Sequence, residues 1–235
     1  MKTWRYQGAR DEDLKPVDRR CSTRRELGLG SALISLCWWV YVRGYLKLFH
    51  RLKINGRENL PAEPGFMLVS NHSSHLDTLA LAAALPLRWN GHVFPVAAGD
   101  TFFNRPETAW FAAHFLNALP LWRRRTATHA LADLRARLQA GAEVLILFPE
   151  GTRSRDGAMA PFKSGIGRLL AGTDVCVVPV KITGAFEAFP VDRKRPRPHP
   201  ISLTIGAPIS FPQLSDNHEG WNTIARELAA AVERL

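Results

Sequence analysis

The sequence has few cysteines and no sulfur-ligand motif. Its three cysteines, Cys21, Cys37 and Cys176, are odd in number, and no two of them have the CxxC spacing. This usage argues against a disulfide scaffold and a structural zinc site, and it fits a reducing compartment. Cys37 and Cys176 lie in apolar runs, so we expect both to be small, buried hydrophobic side chains.

Acidic residues are scarce relative to basic ones. The 31 Lys and Arg residues outnumber the 21 Asp and Glu residues, which gives a net charge of +10. This balance favours an anionic partner: nucleic acid, an anionic membrane surface or a phosphorylated substrate. No helix-turn-helix and no RNA-binding aromatic motif accompanies the charge, so we expect no nucleic-acid partner.

The sequence also lacks an apolar run of the ~20 residues that a membrane-spanning helix needs. The run LGLGSALISLCWWVYV has 16 uncharged residues at positions 27–42. Basic residues flank it on both sides, whereas a single span carries its basic excess on one side. Trp38, Trp39, Tyr41 and Tyr45 suit the headgroup level. We predict an interfacial or shallowly inserted helix; the alternative is an ordinary helix packed on the core.

No internal repeat or long low-complexity linker divides the 235 residues. Their number suits one large domain with an extension. We predict a basic N-terminal extension with the membrane-associating helix at residues 1–49, and a domain of catalytic size at residues 50–235. Because both basic flanks can face one anionic leaflet, we expect the chain at the cytoplasmic face of the inner (plasma) membrane, with membrane lipid as a partner.

Strand and helix signals alternate after residue 50. Strand-like segments lie at 52–55, 65–70, 92–98, 144–148, 175–182 and 201–206. Helical segments lie at 78–86, 107–117, 126–139, 164–172 and 219–235. This alternation predicts an α/β domain with a mixed, largely parallel sheet flanked by helices.

The stretch SNHSSHLDT, residues 70–78, lies between a predicted buried strand and a predicted helix. In open α/β sheets, reactive groups gather at the carboxyl ends of strands. On one continuous helix, His72 and Asp77 would point about 140° apart. If His72 lies in the loop and Asp77 in the first helical turn, capped by Ser73 or Ser74, the two can meet. Asp77 would then orient the imidazole and leave its other nitrogen to take a proton.

Other interpretations of this stretch remain open. His72, His75 and Asp77 form a potential metal site, although we see no further ligand at a suggestive spacing. Ser73 or Ser74 is a potential nucleophile of a lipid hydrolase, although no G-x-S-x-G elbow surrounds either serine. A purely structural capping arrangement of His72 and Asp77 is the third alternative.

A second polar stretch, FPEGTRS at residues 148–154, also follows a predicted buried strand. Gly151 lets the backbone turn sharply and come close to a ligand. Thr152 offers a hydroxyl donor, and Arg153 offers a planar fork suited to a phosphate. Glu150 can accept from a ligand hydroxyl or orient Arg153. The alternative is a surface turn with a local Glu–Arg ion pair.

The two stretches in this order resemble the glycerophospholipid acyltransferase family, whose best-known members are the 1-acyl-glycerol-3-phosphate acyltransferases. The family pattern is H-x-x-x-x-D followed by E-G-T-R, and this chain has N-H-S-S-H-L-D and F-P-E-G-T-R-S. VVPVKITG at 177–184 resembles the family's later proline-bearing strand. The resemblance covers residues 50 to 210, and it identifies residues 50–235 as an acyltransferase domain.

The resemblance implies transfer of a fatty acyl group to the hydroxyl of a lysophospholipid, most simply 1-acyl-glycerol-3-phosphate giving phosphatidic acid. The donor thioester, acyl-CoA or acyl-carrier protein, is a co-substrate; no bound cofactor, metal or acyl-enzyme is implied. His72 is the implied general base, and Asp77 orients it. The residues implied to bind the acceptor are Glu150, Gly151, Thr152, Arg153, Arg124 and Lys163.

The chain departs from the family between the two motifs. Gly99 and Asp100 stand where the family carries a basic residue, and Arg124 is one of three neighbouring arginines that can supply a later one. Another lysolipid or another hydroxylated acceptor therefore stays open. A non-catalytic lipid-binding protein of the same fold is the competing function, and the intact His72 and Asp77 pair argues against it.

Overall fold

The computed structural model describes residues 9–26, 28–122 and 127–235. The strands are β1 (Lys53–Asn55), β2 (Phe66–Ser70), β3 (Val93–Ala98), β4 (Leu119–Leu121), β5 (Val144–Leu147), β6 (Thr173–Thr183), β7 (Ser202–Ile205) and β8 (Ile209–Phe211). The α-helices are α1 (Pro16–Arg19), α2 (Leu29–Phe49), α3 (Asp77–Ala84), α4 (Gly99–Phe102), α5 (Pro106–His114), α6 (Ala127–Gln139), α7 (Gly165–Leu170), α8 (Ala185–Ala188) and α9 (His218–Glu233). Short 3₁₀ helices cover Arg57–Asn59 and Leu87–His92.

The strands form one mixed sheet in the order β1-β7-β6-β2-β5-β3-β4, and β8 also pairs with β6. The central run from β6 to β4 is parallel throughout. β7 and β8 run antiparallel to β6. The predicted mixed, largely parallel sheet with flanking helices is thus confirmed. The sequence analysis did not predict β4 and β8, which have three residues each.

Strand β2 explains why the central strands are apolar on both faces. Phe66 and Leu68 belong to a buried cluster that includes side chains of α2 and α3. Met67 and Val69 belong to a second cluster on the other side, formed with α6, α7 and α9. Because helices cover both faces of a parallel sheet, every position of such a strand has to be apolar.

One side of helix α2 is part of the core. Trp39, Val42 and Leu46 are buried in the cluster that contains α3. The helix extends to Phe49, beyond the apolar run that predicted it. Arg43 is half-buried and donates to the carbonyl of Leu85, and Lys47 is exposed. The alternative to an interfacial helix, an ordinary helix packed on the core, therefore holds for this side of α2.

The other side of α2 is apolar as well, although it is exposed. Cys37 lies there, so the prediction that it is buried is wrong; Cys176 is partly buried against the core. No helix within the described ranges is long and apolar enough to cross a bilayer. The exposed large apolar side chains of α2 are Leu29, Leu33, Ile34, Leu36, Val40, Tyr41, Leu48 and Phe49.

Buried polar contacts tie residues 9–26 to the rest of the chain. Arg25 is 4 % exposed and donates to the carbonyls of Ala113 (3.0 Å) and Ala118 (2.9 Å). Arg137 in turn donates to the carbonyl of Arg25 at 3.1 Å. Burial lowers the pKa of Arg25 to about 10. These contacts connect the predicted extension to the loop between α5 and β4 and to α6.

We expect Leu46→Ala to lower the free energy of unfolding by about 2–5 kcal/mol, because it leaves a cavity beneath α2. Leu46 is fully buried, whereas Leu48 on the same helix is 83 % exposed. Leu48→Ala is therefore the matched control and should change stability by less than about 0.5 kcal/mol. Chemical denaturation followed by circular dichroism measures both changes. Equal losses in the two variants would contradict the packing of α2.

Candidate active site

The register of the sheet brings the two polar stretches together. β2 and β5 are parallel neighbours, with Val69 opposite Leu147. His72 and Glu150 follow at the same distance beyond these two residues, so both lie at the carboxyl edge of the sheet. The backbone N–H of His72 donates to Oε1 of Glu150 at 2.6 Å.

The His72 and Asp77 side chains meet at this edge. Nδ1 of His72 lies 2.8 Å from Oδ2 of Asp77, which is fully buried in the first turn of α3. The same Oδ2 accepts the backbone N–H groups of Ser73 and Ser74, each at 2.7 Å. The carboxylate is thereby fixed, and it selects the imidazole tautomer that carries its proton on Nδ1. Nε2 of His72 has no hydrogen-bond partner in the part of the chain that is described.

The start of α3 differs from the prediction. Leu76 is the N-cap residue, and neither Ser73 nor Ser74 makes a side-chain cap. Oγ of Ser74 instead accepts from the N–H of Leu76 (3.1 Å) and donates to the carbonyl of Phe189 (2.8 Å). A serine nucleophile needs its proton to be held by a base. The Ser74 proton is held by a carbonyl, which argues against the hydrolase alternative at that position.

Asn71 is a structural part of the site that sequence analysis missed. Its side-chain amide accepts from the N–H of Ile182 (2.8 Å) and donates to the carbonyl of Ile182 (3.0 Å). The amide thus continues the pairing of β2 with β6 beyond the end of β2, in the manner of a backbone peptide. An amide residue directly after a predicted buried strand was the available signal.

Glu150 does not line the cavity, and its carboxylate accepts backbone N–H groups from both loops. It is 3 % exposed, and its second oxygen, Oε2, accepts from the N–H of Ala160 at 2.9 Å. Burial raises the pKa of the carboxyl, and the N–H groups of Ala160 and His72 act in the opposite direction. The N–H of Ser154 donates to the carbonyl of His72 at 2.8 Å. The second stretch therefore holds the backbone of His72 from both sides.

Phe148 supports the imidazole directly. Its ring stacks on that of His72, with centroids 4.0 Å apart and planes inclined by 16°. The His72 side chain is 20 % exposed, so one part of the ring remains accessible. The imidazole is fixed by a hydrogen bond at Nδ1 and by a flat apolar surface. The phenylalanine stands at the start of FPEGTRS, but nothing in the sequence indicated that it would stack on the imidazole.

Of the remaining candidate residues, Gly151, Thr152 and Arg153 line a cavity that also contains His72. Gly151 has φ +74°, a backbone conformation that favours glycine, and Nζ of Lys163 lies 2.6 Å from where a Cβ would stand. Lys163 therefore lies next to Gly151, at the edge of the group formed by Gly151, Thr152 and Arg153. Arg124 and its two neighbouring arginines lie outside the described residues.

His75 contacts Arg153 at the cavity. Nη1 of Arg153 donates to Nε2 of His75, whose ring centroid lies 5.0 Å from that of Phe189. Burial, and then the charge of Arg153, lower the pKa of His75. Burial also lowers the pKa of Arg153. The contact occupies the Nε2 lone pair with which His75 would bind a metal ion. It therefore argues against a metal site built from His72, His75 and Asp77.

The cavity has a volume of about 480 Å³. Beyond the two polar stretches, its wall is mainly apolar and is contributed by α2, α3, α4, α5, β3, β4 and the segment before β4. A long apolar cavity wall beside a few polar groups suits a ligand with a hydrocarbon chain. The apolar side chains include Trp38, Leu79, Phe102, Phe111, Leu116 and Leu121.

Known proteins resemble this chain in sequence and in structure. A chloroplastic 1-acyl-sn-glycerol-3-phosphate acyltransferase of Arabidopsis thaliana is 34% identical over 145 residues, which are 60% of this chain and 38% of that protein. The alpha 1-acyl-sn-glycerol-3-phosphate acyltransferase of Ovis aries is 29% identical over 147 residues, which are 62% of this chain and 49% of that protein. The match thus spans less than half of the length of these curated relatives.

A crystal structure shares the fold over most of the chain. It is that of the 1-acyl-sn-glycerophosphate acyltransferase PlsC from Thermotoga maritima, with a TM-score of 0.64 and 27% identity. The match covers 83% of this chain and 78% of that one. The Acyltransferase family model matches residues 51–183, which contain both polar stretches and more than half of the sequence. The chain belongs to this acyltransferase family.

Proposed function

We propose that the protein is an O-acyltransferase that moves a fatty acyl group from an acyl-CoA or acyl-carrier-protein thioester to the hydroxyl of a lysophospholipid. The observation that carries this proposal is the His72–Asp77 pair, whose remaining imidazole nitrogen, Nε2, lies beside an apolar cavity. The names of the relatives favour 1-acyl-glycerol-3-phosphate as the acceptor and phosphatidic acid as the product.

His72 acts as the general base in this proposal. Nε2 takes the proton of the acceptor hydroxyl while the hydroxyl oxygen attacks the thioester carbon. The C–S bond then breaks, and the imidazolium returns the proton to the departing thiolate, so that an ester and a free thiol are formed. Asp77 stabilises the imidazolium because its carboxylate is buried at 2.8 Å from Nδ1. A positioned base of this kind contributes ~10²–10⁴-fold to the rate.

The acceptor phosphate is assigned to the residues that follow Glu150. Arg153 lines the cavity with its planar guanidinium, and Thr152 adds a hydroxyl on the same wall. Lys163, beside Gly151, adds a second cation. Holding the phosphate there would fix the hydroxyl of the same molecule near His72, which reduces the entropic cost of the reaction.

We infer that Glu150 serves the reaction by positioning His72. Both of its carboxylate oxygens accept backbone N–H groups, from His72 and Ala160, and the residue does not line the cavity. Its contribution is therefore to hold the loop on which the base stands. We expect a residue with this role to act more on the rate than on the binding of either substrate.

The exposed side of α2 is proposed to lie in the membrane interface. Trp38 of α2 packs edge-on against Phe111 of α5, with ring centroids 5.6 Å apart, and both residues also line the cavity. A lipid acceptor can then enter the cavity directly from the bilayer. Lys47 and Arg51, at the end of the helix, suit the anionic headgroups of the cytoplasmic face of the inner (plasma) membrane.

We expect His72→Ala to abolish acceptor-dependent release of thiol from palmitoyl-coenzyme A with 1-acyl-glycerol-3-phosphate, because the variant lacks the proposed general base. The loss should be about 10²-fold or more. His218→Ala, at an exposed position of α9, is the control and should keep the parent rate. Turnover at the parent rate in His72→Ala would remove His72 as the base. A parent protein that is inactive with a full panel of lysolipids and both thioester carriers would overturn the proposed function.

We expect Glu150→Gln to lower kcat by about tenfold to a hundredfold, since the amide NH₂ cannot accept one of the two N–H groups and the loop shifts. The KM values of donor and acceptor should stay within about twofold of the parent values. Glu227→Gln makes the same chemical change at an exposed position of α9 and should have no effect. A rise in the acceptor KM at unchanged kcat would make Glu150 a ligand instead.

We expect the double variant Leu33→Glu, Val40→Glu to bind lipid vesicles at least about tenfold more weakly, because both side chains are exposed on α2 and their burial in lipid is lost. Co-sedimentation with phosphatidylglycerol–phosphatidylcholine vesicles measures the change. Gln213→Glu with Asn222→Glu adds the same charge at exposed positions remote in sequence from α2 and is the control. If both double variants bind as the parent does, the exposed side of α2 is not the membrane contact.

A further inference from the structure

His75 is held in place at the cavity and has one specific partner there. Its Nε2 accepts from Nη1 of Arg153, and its ring packs against Phe189 at 5.0 Å between centroids. Phe189 is itself fixed, because its carbonyl accepts from Oγ of Ser74 at 2.8 Å. Both His75 and Arg153 line the cavity. The guanidinium therefore has a defined direction before any ligand arrives.

The partner of Arg153 is a neutral group, although carboxylates stand nearby. The two oxygens of Glu150 accept the backbone N–H groups of His72 and Ala160. Oδ2 of Asp77 accepts three other donors. Among the described residues, Arg153 forms no ion pair with either carboxylate. An imidazole can orient the guanidinium while leaving its positive charge uncompensated, whereas a carboxylate would compete with an incoming anion.

We propose that His75 is a positioning residue that directs Arg153 towards the phosphate monoester of the acceptor without neutralising it. The inference rests on the proposed function and adds a residue to it. It requires the neutral imidazole with its proton on Nδ1, since only then does Nε2 have a lone pair for Arg153. It also makes recognition of the acceptor depend on the protonation state of His75.

The ionisable groups around His75 are Arg153, His72 and Asp77. Burial lowers the pKa of His75 first, Arg153 and His72 lower it further, and Asp77 opposes them. The neutral, hydrogen-bond-accepting form is therefore present at neutral pH. As the pH falls through the lowered pKa of His75, Nε2 gains a proton. It can then no longer accept a hydrogen bond from Arg153, and the imidazolium repels the guanidinium. Acceptor binding should weaken in that range.

The first test compares His75→Ala with His75→Gln. Alanine removes the acceptor, so we expect the KM for 1-acyl-glycerol-3-phosphate to rise by about tenfold, with kcat and the KM for palmitoyl-coenzyme A within about twofold of the parent. Glutamine offers an amide oxygen to Arg153 and does not titrate, so it should restore the acceptor KM. Arg153→Ala and the double variant Arg153→Ala, His75→Ala should have equal KM values, because His75 acts only through Arg153.

The second test uses pH, with His75→Gln as the matched control. The acceptor phosphate is the same in both assays, so the ratio of the parent KM to the His75→Gln KM reports the effect of His75. We expect this ratio to rise between pH 7.5 and 5.5. A ratio that falls would mean that protonated His75 binds the phosphate itself, and the positioning role would be wrong.

A spectroscopic test does not depend on turnover. With ¹⁵N-labelled histidine, the His75 ring should show the tautomer protonated on Nδ1 in the parent, and Arg153→Ala should shift it towards the Nε2–H form. An unchanged tautomer in Arg153→Ala would overturn the inference.

The kinetic results separate this inference from the proposed function. If the parent turns over and Arg153→Ala raises the acceptor KM but His75→Ala does not, the positioning role of His75 is wrong and the proposed function stands. A parent without acceptor-dependent activity would point to the proposed function instead.

Discussion

Parallel pairing of β2 with β5 and β6 forces the segments that follow these strands to lie side by side at one edge of the sheet. The register that sets Val69 opposite Leu147 also sets His72 opposite Glu150. Backbone hydrogen bonds within the sheet therefore determine which loops meet, and the side chains at the edge only complete the contact. A shift of the register by one residue would exchange the two faces of β2 and separate the loops at the same time.

The buried polar groups around His72 act on its position. Asp77 fixes the imidazole at Nδ1, Phe148 supports the ring face, and Glu150 holds the backbone N–H. Each of these contacts is formed within the folded chain without a ligand, so the proposed reaction would require little reorganisation of His72. The exposed part of the ring and Arg153 remain for the ligand. In the proposed function, support and recognition are thus carried by different residues of the same two short stretches.

The sequence predicts those parts of the site that depend on neighbouring residues. His72 and Asp77 lie five positions apart, so the end of a strand and the start of a helix suffice to bring them together. Asn71 and Ile182, which are 111 positions apart, meet only through the order of the strands in the sheet. Cys37 was expected in the core because a helix that is apolar on both sides does not reveal which side faces the protein. The apolar cavity wall from α2, α4 and α5 likewise depends on tertiary packing that no local pattern contains.

The distribution of positive charge shows why the net charge of +10 was an incomplete guide to partners. The charge of Arg137 is compensated in a buried ion pair with Glu143, in which Nε and Oε2 lie 2.6 Å apart. Arg25 is buried and donates to backbone carbonyls of the chain. These arginines serve the fold, since a buried guanidinium without such partners would be strongly destabilising. Arg153 differs because its partner is a neutral imidazole, and its charge is not cancelled by a carboxylate. The charge that we propose to bind the acceptor is therefore distinguished by its partner, and the number of basic residues does not reveal it.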